Sequence, residues 1–438
     1  MSDFLSSLRR LPHSRIARNI IMLGGSTAMA QLIGLLALPF VTRLYAPAEL
    51  GAAALFLAFA GFWANALSLR YDQALLIAGD DAESHILHRL ALILVVLMSL
   101  AAMPALWLLQ RFALLEFQLL PAWVPLFVFP VLLGQGLFMV YRAWALRAGL
   151  VRHITQAVVG RAAANAATKL ALGLHPGGII GLLAAEVAGA YVSMMKLMLA
   201  SRRHFAASRP PAIRAAQLGQ VGRKYAKFPL LETPSAWIDA LAMLLPLPLV
   251  ASLYGVEAVG WFGLARLVVS VPNGQIGAAV ADVFQMELAQ AVVQRDQARA
   301  RSLFYTLLKK MAVLGLLPLV ATVTLLPWGF ALVFGPQWAP AGLIAACLAP
   351  WMYAALVVSP LSRALSVLQA QQWKLVYDIA AISLLLLSYA LARMLDTSLT
   401  GFSLLISLAN ILGYGVYAVL LARLIDGKLQ GGAHPKEE

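Results

Sequence analysis

Charge is what this sequence has least of. Only 12% of its 438 residues are charged, 61% are hydrophobic, and the mean hydropathy is +0.81. A soluble domain carries about 25% charge. Half of that cannot clothe a water-facing surface, so lipid must cover most of the outside. Cysteine is nearly absent. Cys347 stands alone in an apolar run, which excludes an internal disulfide and C-x-x-C chemistry and reads as a buried structural thiol. The ten-residue alternation of a membrane barrel is missing too, and the apolar stretches are long and continuous, so helices satisfy the backbone. There is no Walker A sequence, nucleophile elbow or zincin motif, so neither ATP-driven machinery nor an enzyme is expected. No cleavable signal peptide is expected, because the basic start (Arg9, Arg10, Arg15, Arg18) runs into a full-length apolar helix. Phe4, Leu5, Leu8 and Leu11 suit a short interfacial helix. Acid is scarce, 19 residues against 33 Lys and Arg, for a net charge of +14. Without a soluble basic module, that balance points to cationic cytoplasmic loops and anionic headgroups rather than to nucleic acid.

What is present is a series of runs long enough to span the hydrocarbon, about 20 residues each. They fall at 20–41, 50–69, 87–109, 122–141, 154–174, 178–198, 228–253, 258–284, 306–334, 341–362, 375–395 and 399–422. All but six of the 33 Lys and Arg lie on the N-terminal tail, the even-numbered loops and the C-terminus. The odd-numbered loops hold only Arg43, Arg111 and Arg393, while Arg161, Lys169 and Arg266 lie inside spans. This asymmetry predicts that both termini are cytoplasmic.

The halves resemble one another. Residues 38–51 and 247–260 share six identities in fourteen positions at an offset of 209, including Pro39 with Pro248, Tyr45 with Tyr254 and Gly51 with Gly260. Six helices per half is an even number, so the repeats are parallel, a plan used by secondary transporters. The predicted fold is an all-α integral membrane protein of about twelve transmembrane helices. They form two six-helix lobes related by a pseudo-two-fold along the membrane normal. The N-terminal lobe is 1–204, a basic cytoplasmic linker is 205–227, and the C-terminal lobe is 228–438. The loop around that linker holds Arg202, Arg203, Arg209, Arg214, Arg223, Lys224 and Lys227 and no acid.

A charge at mid-bilayer costs about 2.5–3.5 kcal/mol on insertion scales, so the few inside spans should avoid lipid. Arg161, Asn165 and Lys169 recur at i, i+4 and i+8, one stripe on an alanine-rich helix. With Arg266 they are candidate substrate-binding residues of a cationic cavity between the halves, suited to an anionic substrate. Glu186, Asp239, Asp72 and Asp282 are candidate ion-coupling sites or charge partners. The competing reading is structural: Arg161 pairs with Glu186, Lys169 snorkels to headgroups, and Asp72 and Asp282 sit at solvated helix ends. Asn65, Asn273 and Gln275 either line a pathway or bridge helices. His85 and His88 have metal-like spacing near Asp80, Asp81 and Glu83, but read as a solvated loop, so no metal is expected. Trp107, Trp123, Trp338 and Trp373 read as interfacial belts, and Pro39 and Pro248 as kinks or ends of their spans.

The stretch from Leu38 to Phe56 (LPFVTRLYAPAELGAAALF), running on to SLRYDQALLIAGDDAE (Ser68 to Glu83), resembles the bacterial polysaccharide and O-antigen flippases. So do FGPQWAPAG (Phe334 to Gly342), the LAP that follows it, and SPLSRALSVLQAQQWKL (Ser359 to Leu375). These flippases belong to the multidrug/oligosaccharidyl-lipid/polysaccharide exporter superfamily, and the resemblance covers nearly the whole chain in order. It implies two six-helix lobes around a central cavity. It also implies alternating access that moves an undecaprenyl-pyrophosphate-linked oligosaccharide, an O-antigen or exopolysaccharide unit, to the periplasmic leaflet of the bacterial inner membrane. No cofactor is implied beyond a coupling H+ or Na+. The expected partners are the lipid-linked oligosaccharide, membrane lipids and other polysaccharide assembly proteins, with no nucleic acid. Two alternatives are a small-molecule or multidrug exporter of the same superfamily and a membrane-embedded polysaccharide polymerase or ligase. Short odd-numbered loops count against the last.

Overall fold

The computed structural model describes residues 15–175, 177–207, 215–368, 370 and 372–428. The expected interfacial helix at residues 4–11 and the basic stretch 208–214 lie outside them, as does the side chain of Gln275. All described elements are helical, and no strand occurs among them. The protein is an all-α membrane protein.

The chain divides into two compact units, Met1–Leu244 and Leu245–Glu438. In the first, the long helices are α1 (Arg15–Leu44), α2 (Pro47–Ala64), α4 (Asp81–Arg111), α5 (Val124–Arg147), α6 (Val151–Gly173) and α7 (Ile179–Ala207). Shorter ones are α3 (Tyr71–Leu76), α8 (Ala215–Lys224) and α9 (Thr233–Leu244). Local chemistry sets the starts. Pro47 opens α2, and the Glu49 carboxylate accepts from the Ala46 amide at 2.9 Å. Asp80 caps α4 by accepting from the Glu83 amide at 2.6 Å. Residues 228–244 belong to this first unit, where Trp237 stacks on Phe62 at 5.7 Å.

The second unit contains α10 (Pro246–Pro272), α11 (Ala278–Val293), α12 (Gln297–Phe334), α13 (Ala339–Val358), the single turn α14 (Ala364–Val367), α15 (Gln372–Met394) and α16 (Leu399–Lys428). Its interior gathers Phe284, Phe304, Met311, Leu361, Leu365 and Leu421, all buried. Outside, Trp328 is 82% exposed and Leu332 79%, which only a lipid environment tolerates on this scale.

Among the described residues, ten helical runs are long and apolar enough to cross a membrane, two fewer than the sequence spacing suggests. The difference has two physical sources. α6 is a continuous helix, but Arg152, Arg161 and Lys169 with its Thr, Gln and Asn residues make it too polar for the count. The run Phe228–Val271 counts once although it has 44 residues. At 1.5 Å per residue it would measure about 66 Å, twice the hydrocarbon thickness. It breaks at Gly255, whose φ of 81° and ψ of 178° are open to glycine and strained for other residues.

Several side chains depart from their sequence readings. Trp338 is fully buried in a 3-10 turn and is no belt residue. Pro39 lies inside α1, which continues to Leu44, so it does not end that span, and Pro248 lies in the first turn of α10. Cys347 is half-buried rather than enclosed. His85 and His88 are not in a solvated loop: α4 begins before them, and both are buried against Trp144, at 4.8 and 5.4 Å between ring centroids. Among the described residues, no three His, Cys, Asp or Glu side chains gather into a metal-binding group.

Candidate functional site

The repeated segments first fix the frame. In the first unit the Tyr45 hydroxyl donates to the Lys169 carbonyl on α6 at 2.9 Å. In the second, Tyr254, its counterpart at offset 209, lies 3.3 Å from Thr397 Oγ1, just beyond α15. Each copy thus ties the first helix of its half to the end of the fifth.

The α6 stripe faces α7. Asn165 Nδ2 donates to Glu186 Oε1 at 2.9 Å, and Lys169 Nζ approaches the same oxygen at 3.2 Å. Close packing makes this possible. A Cβ at Gly189 of α7 would stand 2.9 Å from the Arg161 carbonyl oxygen and 3.2 Å from Asn165 Cβ. The partner of Glu186 is therefore Lys169, which neither snorkels nor leaves the carboxylate to Arg161. Arg161 instead places its guanidinium carbon 5.9 Å from the Phe138 ring centroid. Among the described residues it has no carboxylate within 4.0 Å. The ladder thus neutralises one cation and leaves a second uncompensated by acid.

In the second unit, Arg266 on α10 is half-buried with its guanidinium carbon 5.8 Å from the Trp351 ring centroid on α13. Tyr414 of α16 is its electrostatic neighbour. Tyr377 stacks on Tyr417 at 4.2 Å and lies 5.7 Å from Tyr414. Next to it, Lys374 donates to Asp378 at 2.7 Å. Sequence reasoning missed this tyrosine cluster. Its only signal was the i, i+3 spacing of Tyr414 and Tyr417 on an otherwise apolar helix.

The carboxylates scatter. Asp72 is 9% exposed and accepts from the Ser68 hydroxyl, so the solvated-end reading fails for it. Asp282 is exposed at the start of α11, with Arg363 at 3.9 Å. Asp239 is exposed within its unit. Asn65 and Asn273 bridge elements: Arg70 donates to Asn65 at 3.1 Å, and Asn273 donates to the Met352 carbonyl at 3.2 Å.

A second polar network surrounds Arg70, which with Leu69 adopts a left-handed backbone, φ 64° and 47°. With the Gln73 amide oriented to satisfy both neighbours, Arg70 donates to it at 3.0 Å and Gln73 donates to Glu232 at 3.1 Å. Tyr71 donates to the Gly222 carbonyl on α8 at 2.9 Å, and burial raises its hydroxyl pKa. Glu83 receives Lys224 at 2.5 Å and the Tyr225 hydroxyl at 3.0 Å. The linker helix is therefore bolted to the first unit.

Long apolar helices carrying a few buried charges make this a multi-pass membrane protein, and its fold is similar to that of solved transporters of the MOP superfamily. An inward-facing multidrug resistance MATE family transporter of that superfamily matches at TM-score 0.67 and 15% identity, covering 94% of this chain and 96% of that one. The lipid II flippase MurJ, in an inward closed conformation, matches at 0.68 and 12% identity, covering 91% and 87%. A MOP superfamily transporter from Pyrococcus furiosus, described as having a binding pocket of reverse polarity, matches at 0.57 and 13% identity, covering 94% and 96%. At such identities the likeness is one of fold. The family follows from sequence: the chain belongs to the polysaccharide biosynthesis protein family, whose model matches residues 40–343. No curated protein matches the sequence.

Proposed function

We propose that the protein is a flippase for an undecaprenyl-pyrophosphate-linked oligosaccharide, moving an O-antigen or exopolysaccharide unit from the cytoplasmic to the periplasmic leaflet by alternating access. It is a transporter and not an enzyme, sits in the bacterial inner membrane with both termini cytoplasmic, and uses H+ or Na+ as its coupling ion. Arg161, Lys169 and Arg266, with Asn165, engage the anionic head. Glu186, Asp239, Asp72 and Asp282 serve as charge partners or coupling sites. The observation that carries this reading is the charged ladder of α6 and α7 within a chain of the polysaccharide biosynthesis family. Such groups are costly in a membrane interior and are retained there for function. The fold shared with a lipid II flippase supports the same class of cargo.

The test is the variant Arg161→Ala with Arg266→Ala in a cell that depends on this chain. Surface polysaccharide is expected to be lost, by gel and lectin staining, while membrane insertion is unchanged. Normal surface polysaccharide would overturn the cationic mechanism. The MATE fold supports a second reading, a small-molecule exporter. Under that reading deletion would raise drug sensitivity and leave polysaccharide intact.

A further inference from the structure

Along α16, Leu412, Val416, Val419 and Arg423 recur at i, i+4, i+7 and i+11, which places them on one face of the helix. That face borders a groove of about 760 Å³, whose rim includes Trp373 at the start of α15. Gly415 deepens the slot, since a Cβ there would meet nothing within 4 Å. The apolar part is open: Leu412 is 67% exposed and Val416 70%. The end marked by Arg423 and Trp373 is different. Lys374, the residue after Trp373, is neutralised by Asp378 at 2.7 Å. Arg423 is exposed and, among the described residues, has no carboxylate within 4.0 Å. The groove thus ends in one net positive charge beside an indole, the pairing found at the depth of lipid headgroups.

We propose that this groove binds one anionic glycerophospholipid, with an acyl chain along residues 412–419 and its phosphodiester on Arg423. Charge complementarity selects this occupant. One guanidinium balances one phosphodiester, whereas a pyrophosphate brings more negative charge than this end of the groove can meet. An apolar tail alone would leave Arg423 without a role. The site uses side chains of the second unit only and does not depend on the substrate proposed above.

The test is native mass spectrometry of the delipidated full chain, titrated with phosphatidylglycerol or phosphatidylcholine. One phosphatidylglycerol should be retained about fivefold more tightly than phosphatidylcholine, the worth of one basic residue near anionic lipid. Arg423→Ala should erase that preference and Arg423→Lys should restore most of it. Gly415→Phe starts from a position where a Cβ meets nothing within 4 Å, and it should expel the lipid while its thermal unfolding in detergent matches that of the wild-type chain. Equal retention of the two lipids by the wild-type chain overturns the proposal, as does undiminished retention in Gly415→Phe. Displacement of phosphatidylglycerol by equimolar undecaprenyl phosphate would assign the groove to a polyprenyl lipid and overturn it equally.

Discussion

Glu186 on α7 receives two donors from α6 on one carboxylate oxygen, Asn165 and Lys169. The ion pair is mostly buried, with side-chain exposures of 23% for Lys169 and 14% for Glu186. A buried pair is a weak source of net stability, but removing one partner strands the other charge. Lys169→Met should therefore destabilise the protein by about 3 kcal/mol. Adding Glu186→Gln should recover more than half of that loss, as read by thermal unfolding in detergent through a double-mutant cycle. Strictly additive losses would show that the pair is not coupled. The stripe itself was legible in the sequence, because spacing alone puts Arg161, Asn165 and Lys169 on one face. Which cation takes the carboxylate was not, since that depends on where Glu186 and Phe138 fall along neighbouring helices. Asp72 was misread for a similar reason. Its position looks like a helix end, and only the packing around Ser68 reveals that it is buried.

At the scale of elements, α8 is held by three side chains, through Tyr71 to Gly222 and through Lys224 and Tyr225 to Glu83. The Lys224 ammonium titrates above its ordinary 10.5, chiefly because Glu83 accepts its hydrogen bond. The Tyr225 phenol titrates above its ordinary 10.0, through burial first and its bond to Glu83 second. Both groups dock in their protonated forms. Their contribution to docking is therefore full below those ordinary values and is lost as pH rises through the raised ones. A spin label on Gly219→Cys, in a Cys347→Ser background, should be immobile at neutral pH. Its mobility should increase in Glu83→Gln, and in the labelled chain without that change as pH rises through the raised Tyr225 and Lys224 values, above their ordinary 10.0 and 10.5. A label indifferent to both changes would mean that these contacts do not hold α8.

For the whole molecule, orientation rests on charge asymmetry, with only Arg43, Arg111 and Arg393 on the odd-numbered loops. In the same Cys347→Ser background, a membrane-impermeant maleimide should label Gln118→Cys in intact cells. Gly219→Cys should react only after permeabilisation. The reverse pattern would invert the proposed topology. Helix count is less direct than orientation. α6 is too polar to register as a span by hydropathy, and residues 228–271 register once because helical backbone continues on both sides of Gly255. Counting by charge alternation divides that run where hydropathy does not.

The sequence alone determined the class of protein, since a chain with so little charge and such long apolar runs can satisfy its backbone in lipid only as helices. It also revealed the repeat of residues 38–51 at 247–260, and the paired tyrosines show why that signal is physical: Tyr45 ties the end of α1 to α6, and Tyr254 ties α10 to Thr397. Tertiary structure decided what each charge meets. Helical periodicity orders residues around one axis and says nothing about the neighbour across the interface. Hence Lys169 rather than Arg161 holds Glu186, the tyrosines gather near Arg266, and α8 docks on Glu83. Each of these joins residues distant in sequence, and only the packed fold brings them within reach.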